Sequence, residues 1–376
     1  MSPLHLVFGI TLFNVGGYFG ARLLISLYAL NLGVQPVGIG LLVATFSAAP
    51  ALLSWVAGRA ADRFGSRLPI MISTGIGGAG MAVPYFFPGL AALFVAAAFG
   101  GLLFAFSNVA TQNVVGSVST PEMRSRNYTN YTLFGSCAQL VGPVLAGYSI
   151  DSVGHRVSAL VIALFSVVPV VALLIWRKTL PDAARTTAPA GSLREALAAP
   201  GLVRAIVTSS LVVAGIDLFQ FYLPIYGHSI NLSASAIGVV LAALSGATLV
   251  SRMGMGKLIA TLGVEKLLAY AFFSSAVSVA VLPLFENVFA LTALAFVFGA
   301  GMGFGAPITM MLAFSHSSAG RSGEALGLRL TVNHLTRMAG PILFGSIGSV
   351  FGLFAVFWGS ALLLTGGGAI SLPKKK

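Results

Sequence analysis

Four charged side chains stand inside long apolar stretches of this sequence: Arg22, Asp217, Arg329 and Arg337. An ionised group in apolar surroundings is costly, so it usually faces an opposite charge or a polar cavity. Asp217 and Arg337 lie at similar depth in their stretches, which predicts either a structural ion pair or part of a binding site. Arg329 lies about two turns from the end of its stretch, where we expect a long side chain to snorkel to water.

Arg22 is the strongest candidate for an anion-binding side chain. The acidic residues of positions 1–176 are Asp62, Glu122 and Asp151, and all of them lie at the ends of apolar stretches or in loops. We therefore expect no protein carboxylate beside Arg22. A guanidinium in that situation suits the negative group of a bound molecule, since it can donate two parallel hydrogen bonds.

Further polar residues recur at spacings of three or four, which places them on single helical faces. Interhelical hydrogen bonds explain several of them equally well. Asp217 and His334 are the candidate proton carriers, because an imidazole changes charge near neutral pH and burial can raise the pKa of a carboxyl group toward that range. Burial favours the protonated carboxyl of Asp217 and a nearby arginine favours the carboxylate, so the sequence leaves its charge open. The predicted binding residues are Arg22, Tyr18, Asn14, Asn108, Gln112, Tyr131, Gln139, Gln220 and Arg337.

The composition indicates a membrane protein built of helices. Of 376 residues, 57% are hydrophobic and only 8% are charged, whereas a soluble protein keeps roughly a quarter of its residues charged. Apolar runs of about 20 residues suffice to cross a bilayer as helices. No period-two alternation is present, which argues against an outer-membrane barrel. The expected spans are 5–31, 36–57, 69–87, 89–115, 126–150, 156–176, 203–227, 235–256, 264–284, 288–313, 325–349 and 352–371.

The net charge of +12 is explained by the way the chain crosses the membrane. With residue 1 on the cytoplasmic side, 17 basic residues fall in cytoplasmic connectors and only Arg156 falls on the other side. The positive-inside rule then places both termini in the cytoplasm of a cell-membrane protein. Because no basic face exists outside these short loops, we exclude nucleic acid as a partner.

The sequence contains an internal repeat with an offset of 198 residues. The offset aligns 58–65 with 256–263, 26–40 with 224–238, and 142–147 with 340–345. Such a repeat predicts two similar six-helix halves of parallel topology. We expect an N-terminal bundle over 1–176, a cytoplasmic linker over 177–202, and a C-terminal bundle over 203–376.

These features resemble the major facilitator superfamily. Its loop between the second and third helices carries a G-x-x-x-D-R-x-G-R/K-R/K pattern, which "GRAADRFGSR" matches except at Ser66. The resemblance implies an all-α membrane protein of 12 transmembrane helices in two pseudo-symmetric six-helix bundles. It also implies a gating role for the loop, with Asp62 facing the amino end of the eleventh helix. The matching residues are Gly58, Asp62, Arg63, Gly65 and Arg67.

The fifth span carries "GPVLAG", which is similar to the family's antiporter motif G-P-x-x-G-G, with Ala146 in place of one glycine. Gly142, Pro143 and Gly147 match the motif. The proline bends the helix and the glycines allow close helix contact. Since "GPILFG" recurs in the second half, a purely architectural role remains an alternative to antiport.

The resemblance and the charges together predict a secondary transporter. The leading hypothesis is a proton-coupled exporter of a small anionic or amphipathic solute, working by alternating access as a monomer in the lipid bilayer. An organic-anion importer or exchanger and a lipid-headgroup translocator are the alternatives. Nine acidic residues, one cysteine and no metal-binding motif argue against an enzyme, a metal site or any cofactor.

Overall fold

The computed structural model describes residues 2–180, 200–316 and 322–373. Within these ranges the chain is helical and forms no strand. A short 3₁₀ turn at Leu282–Leu284 separates two of the helices. The helices are α1 (Pro3–Asn31), α2 (Pro36–Phe64), α3 (Arg67–Phe86), α4 (Leu90–Val118), α5 (Pro121–Ile175), α6 (Pro200–Ser229), α7 (Ala234–Leu262), α8 (Val264–Val281), α9 (Val288–Met302), α10 (Gly305–Ser315) and α11 (Ser322–Ser371).

Nine helical stretches of the described residues are long and apolar enough to cross a membrane. Two of them contain a break at a glycine with positive φ, in α5 at Gly154 and in α11 at Gly352. These breaks divide the predicted spans 126–150 from 156–176 and 325–349 from 352–371. The all-helical membrane fold is confirmed, while the count of twelve spans stays a prediction. The nine stretches are Pro3–Asn31, Pro36–Ser54, Leu90–Val118, Arg126–Ile175, Gly201–Ser229, Ala234–Leu262, Val264–Leu284, Val288–Ala313 and Leu328–Ser371.

The internal repeat is visible in the backbone. Positive φ angles occur at Gly65 and Gly263, and at Gly154 and Gly352, and the members of each pair lie 198 residues apart. Glycine suits these positions because it has no Cβ to clash when φ is positive. Asn231, the one non-glycine residue with positive φ in the described chain, corresponds to Gly33 by the same offset. Equivalent turns therefore end equivalent helices in the two repeats.

The described residues divide into two compact units. Unit 1 contains those of Met1–Thr187 and Gly227–Ala242, and unit 2 contains those of Ala188–Tyr226 and Ala243–Lys376. The core of unit 1 includes Leu6, Ile10, Val114 and Leu173, and a smaller buried cluster in unit 2 includes Leu202, Ile206 and Ala313. Of the predicted linker 177–202, residues 181–199 lie outside the described residues, so the boundaries of the two bundles remain predictions.

Candidate functional site

A network of uncharged polar side chains lies inside unit 1. The Asn14 amide of α1 donates to Thr74 Oγ1 at 2.9 Å and to Ser107 Oγ at 2.7 Å. These bonds tie α1 to α3 and α4. On α5, the Tyr131 hydroxyl donates to Asn108 Oδ1 at 2.8 Å and lies 3.0 Å from Thr111 Oγ1. We call Asn14, Thr74, Ser107, Asn108, Thr111, Gln112 and Tyr131 the unit-1 polar cluster.

A small cavity lies beside this cluster. Asn14 is buried, and its Oδ1 accepts no hydrogen bond from the described residues. A buried acceptor without a donor is costly, so it favours a bound water or a ligand group that donates. The lining residues are Thr11, Asn14, Val15, Leu103, Phe104, Ser107, Asn108, Thr111 and Tyr131.

The structure brings together four of the predicted binding residues: Asn14, Asn108, Gln112 and Tyr131. Gln112 joins them by donating to Asn108 Oδ1 at 3.1 Å. Tyr18 instead lies in an aromatic group, stacked on Phe104 with ring centres 4.2 Å apart. Arg22 and Gln139 are half-buried on α1 and α5 and are not among the described residues that line the cavity.

Unit 2 contains the predicted ion pair. Arg337 Nε on α11 lies 3.1 Å from Asp217 Oδ2 on α6, and the exposed fractions of the two side chains are 32% and 5%. These two atoms are close but not aligned as a hydrogen bond, so their attraction is mainly Coulombic. His334 is half-buried one turn before Arg337, and Gln220 is half-buried one turn after Asp217.

Arg329 does not snorkel, contrary to expectation. It is 8% exposed, and its Nη1 donates to Ser209 Oγ at 3.0 Å and to Thr309 Oγ1 at 3.3 Å. The Asn333 amide donates to the same Ser209 oxygen at 2.9 Å. The two groups that accept hydrogen bonds from Arg329 lie on α6 and α10, so the Arg329 side chain points into unit 2. We call Arg329, Ser209, Thr309 and Asn333 the Arg329 cluster.

The two clusters occupy equivalent places in the two repeats. Thr11, Thr111 and Tyr131 lie one repeat, 198 residues, before the three residues Ser209, Thr309 and Arg329. In unit 1 a tyrosine hydroxyl contacts the threonine of α4, and in unit 2 a guanidinium contacts the threonine of α10. Sequence reasoning did not assign Arg329 to a site, although applying the repeat offset to Tyr131 would have identified it.

The predicted gating motif forms the end of α2 and the start of α3. Gly65 terminates α2 with a positive φ of 73°, and Arg67 Nε donates to the Leu173 carbonyl at 3.2 Å. The Arg63 guanidinium lies 5.3 Å from the Phe64 ring centre, and Gly58 faces Val109. The Asp62 side chain lies outside the described residues, so its gating contact remains a prediction.

The glycines of the α5 motif are sites of close helix contact. A methyl group at Gly142 would overlap the Gly16 carbonyl of α1, and one at Gly147 would overlap the backbone of α7 at Ala234. A methyl group at Gly238 would lie 2.6 Å from the Pro143 carbonyl. Within unit 1, the motif therefore packs α5 against α1 and against the first residues of α7.

These apolar helices and buried polar clusters define a multi-pass membrane protein of the transporter class. The model of the Major Facilitator Superfamily matches residues 7–285 and 205–375. The chain belongs to the major facilitator superfamily, as its sequence motifs indicated, and is therefore a transporter and not an enzyme. Among residues 2–180, 200–316 and 322–373, no group of three His, Cys, Asp or Glu side chains could hold a metal ion.

Relatives and solved structures agree with this assignment. The chain is 26% identical over 355 residues to the multidrug resistance protein MdtG of Dickeya zeae (strain Ech586), covering 89% of this chain and 84% of MdtG. Its fold matches a variant of the nucleoside transporter NupG with a TM-score of 0.82 at 14% identity, covering 98% of this chain and 100% of that one. The peptide transporter POT in complex with sulfate matches with a TM-score of 0.83 at 14% identity, covering 98% and 93%.

Proposed function

We propose that this protein exports a small anionic or amphipathic organic solute from the cell in exchange for protons. In this proposal it works as a monomer in the cell membrane by alternating access, with both termini in the cytoplasm. The observation that carries the proposal is the Asp217–Arg337 pair, in which a 5% exposed carboxylate lies 3.1 Å from a guanidinium. Intramembrane ion pairs of this kind are typical of proton relays and substrate pathways.

Proton binding at Asp217 and anion binding at Arg337 become coupled through this pair. A proton on an Asp217 carboxyl oxygen removes the negative charge that holds Arg337. The guanidinium is then available to donate hydrogen bonds to the anionic group of a solute. Return of the Asp217 carboxylate displaces that anion, so the proton and the anion occupy the pair together, which by itself corresponds to symport. Exchange requires in addition that the protonated pair and the solute-bound pair cross the membrane in separate steps. His334, one turn before Arg337 on α11, is the second proposed proton carrier.

We propose the unit-1 polar cluster as a separate set of uncharged solute contacts within unit 1. Asn14 Oδ1 is an acceptor without a donor among the described residues, and it lies at the wall of the unit-1 cavity. A hydroxyl or amide N–H of a solute would satisfy it. Arg22, Tyr18 and Gln139 are proposed to contribute from α1 and α5 of unit 1, and Gln220 is proposed to contribute separately from α6 of unit 2.

Export is favoured by the relative MdtG, whose name describes it as a multidrug resistance protein. The α5 motif Gly142, Pro143 and Gly147 supports the same direction, because it resembles the antiporter motif. The buried arginines favour a second candidate, an organic-anion importer or exchanger. Under a symport mechanism the proton and the solute would move together, so the two candidates differ in the direction of proton movement.

A proton-flux assay separates these candidates. The purified protein is reconstituted in proteoliposomes that contain the pH dye pyranine, with valinomycin and potassium to remove the membrane potential. The probes are 1-naphthalenesulfonate and a quaternary N-methylquinolinium ion, added outside. Both carry permanent charges, so neither can carry protons across the lipid by itself. Liposomes without protein are the control.

Exchange predicts that entry of the sulfonate drives protons out, so the lumen becomes more alkaline. Acidification of the lumen would instead show symport and establish the importer. A proton response to the quinolinium ion and none to the sulfonate would overturn the anionic part of the proposal and indicate a cation exporter.

A further inference from the structure

Among the described residues of unit 2, the charge of Arg329 is only partly compensated. The side chain is 8% exposed, and the oxygens that accept from its Nη1 belong to the neutral residues Ser209 and Thr309. No ion pair joins Arg329 to a carboxylate among the described residues. A buried cation is costly unless it is paired, and neutral hydroxyls compensate only part of that cost.

The guanidinium also has an unused donor. The Nε–H group is buried and has no hydrogen-bond acceptor among the described residues. Arginine carries five N–H donors in a planar arrangement, which matches the two oxygens of a carboxylate. An anion beside Nε would supply both the missing acceptor and the missing negative charge.

Neighbouring groups are arranged to support an anion there. Asn333, one turn after Arg329 on α11, and Arg329 itself both donate to Ser209 Oγ, at 2.9 Å and 3.0 Å. The Asn333 carbonyl accepts from Ser210 Oγ at 3.4 Å, which fixes the orientation of the amide. The polar side chains around Arg329 are therefore held in place, with the cationic group at their centre.

The repeat gives independent support. The equivalent residues of unit 1, Thr11, Thr111 and Tyr131, line a cavity, and there the position of Arg329 is taken by the neutral Tyr131. A position that borders a cavity in one repeat carries a buried cation in the other. The replacement of a hydroxyl by a guanidinium changes the ligand that this position suits from a neutral group to an anion.

We propose that the Arg329 cluster is a binding site for a carboxylate or a planar oxyanion of similar size. It is a second anion site, separate from the Asp217–Arg337 pair, and does not require proton coupling. The anion is either the acidic group of a transported organic molecule or a free inorganic ion, and both share the chemistry that a guanidinium recognises.

Thermal unfolding of the purified protein in detergent tests the site without any transport. The midpoint is measured in sodium acetate, sodium benzoate and sodium nitrate, each against sodium chloride at equal ionic strength. Occupancy of a site in the folded protein raises its stability by mass action. We expect at least one of these oxyanions to raise the midpoint by about 2–5 °C relative to chloride. A response to nitrate shows a general oxyanion site, and a response to the organic salts alone shows a carboxylate site.

Two variants assign the effect to Arg329. Arg329→Gln removes the cation and should abolish the anion-dependent shift. Asn333→Asp places a carboxylate one turn from Arg329, where both side chains already contact Ser209. It should raise the midpoint in chloride and also abolish the shift, because the protein then supplies its own anion. Since Asn333→Asp keeps the arginine, it decides the question if Arg329→Gln does not fold.

Arg252→Gln is the matched control, because it removes another arginine of unit 2 and should leave the anion response unchanged. The proposal is overturned if no oxyanion stabilises the wild-type protein more than chloride does. It is also overturned if the response persists in Asn333→Asp, since that result places the anion elsewhere. Neither outcome bears on proton exchange at Asp217, so the exporter proposal stands or falls separately.

Discussion

Asp151, near the break in α5, receives hydrogen bonds from the first residues of α7: the Ala234 amide at 3.0 Å and the Ser235 amide at 2.7 Å. The first amides of a helix have no partner within the helix, and a carboxylate at that end is favoured by the helix dipole. An acidic side chain of α5 thus caps the start of α7 within unit 1. The Gly147 and Gly238 contacts lie along the same pair of helices.

Loss of this cap should destabilise the start of α7. Asp151→Ala is expected to cost about 0.5–2 kcal/mol of stability, the usual range for a helix cap. Amide hydrogen exchange should become faster in peptides that cover 234–238. Asn287→Ala is the control, because Asn287 caps α9 by accepting from the Phe289 amide, and its effect should be confined to 288–292. Unchanged exchange at 234–238 in Asp151→Ala would contradict the role of the carboxylate.

The antiporter-like motif allows a matched glycine test. Gly142→Ala should destabilise the protein by more than about 1 kcal/mol, because the new methyl group meets the backbone of α1 at Gly16 and neither chain segment can move freely. Gly340 is the equivalent glycine of the second repeat, and a methyl group there would meet no described atom within 4 Å. Gly340→Ala should therefore be neutral or slightly stabilising, since alanine favours the helix. Equal loss of thermal stability in both variants would show that close packing at Gly142 is unimportant.

The Tyr131 hydroxyl should matter for solute binding as well as for stability. Tyr131→Phe removes contacts to Asn108 and Thr111 at the wall of the unit-1 cavity, at a cost of about 0.5–1.5 kcal/mol. Its KM for sulfonate-driven proton movement should rise at least several-fold. Tyr226→Phe also removes a buried hydroxyl, one that donates to the Phe285 carbonyl at 2.9 Å. That control should lose similar stability with an unchanged KM, and a KM increase of equal size in both variants would argue against a binding role.

The sequence was sufficient to locate most helices, because the length of an apolar stretch and the glycines at its ends are read directly from neighbouring residues. Charge and depth alone pointed to Asp217 and Arg337 as either an ion pair or part of a binding site, and the structure places the two side chains 3.1 Å apart. It did not predict the break in the span 288–313 at Gly303 and Phe304. That stretch contains several glycines, and their spacing does not say at which one the helix ends.

The burial of Arg329 could not be deduced from its own helix. Its distance from the helix end suited snorkelling, and the groups that hold it inward, Ser209 and Thr309, lie on two other helices. Such contacts depend on tertiary packing. The grouping of Asn14 with Thr74 has the same origin, because their positions are 60 residues apart and nothing in the periodicity of α1 or α3 links them.

The energetic coupling of Asp217 to Arg337 can be measured with a double-mutant cycle. Asp217→Asn and Arg337→Gln should each lower stability, and the double variant should lose less than the sum, with a coupling of about 1–3 kcal/mol. The Arg204–Glu265 pair has the same separation of 3.1 Å but is more exposed, at 30% and 39%. Its cycle should give less than about 1 kcal/mol. Additive effects at Asp217 and Arg337 would show that the pair does not act as a unit.

The proton response of Asp217→Asn in proteoliposomes tests the central claim most directly. The variant is reconstituted with pyranine inside, and 1-naphthalenesulfonate is added outside, beside wild type and Glu265→Gln as a carboxylate control. Proton exchange at Asp217 predicts that the alkaline response disappears in Asp217→Asn and is retained in Glu265→Gln. An Asp217→Asn protein that still exchanges protons for the sulfonate at the wild-type rate would contradict the account.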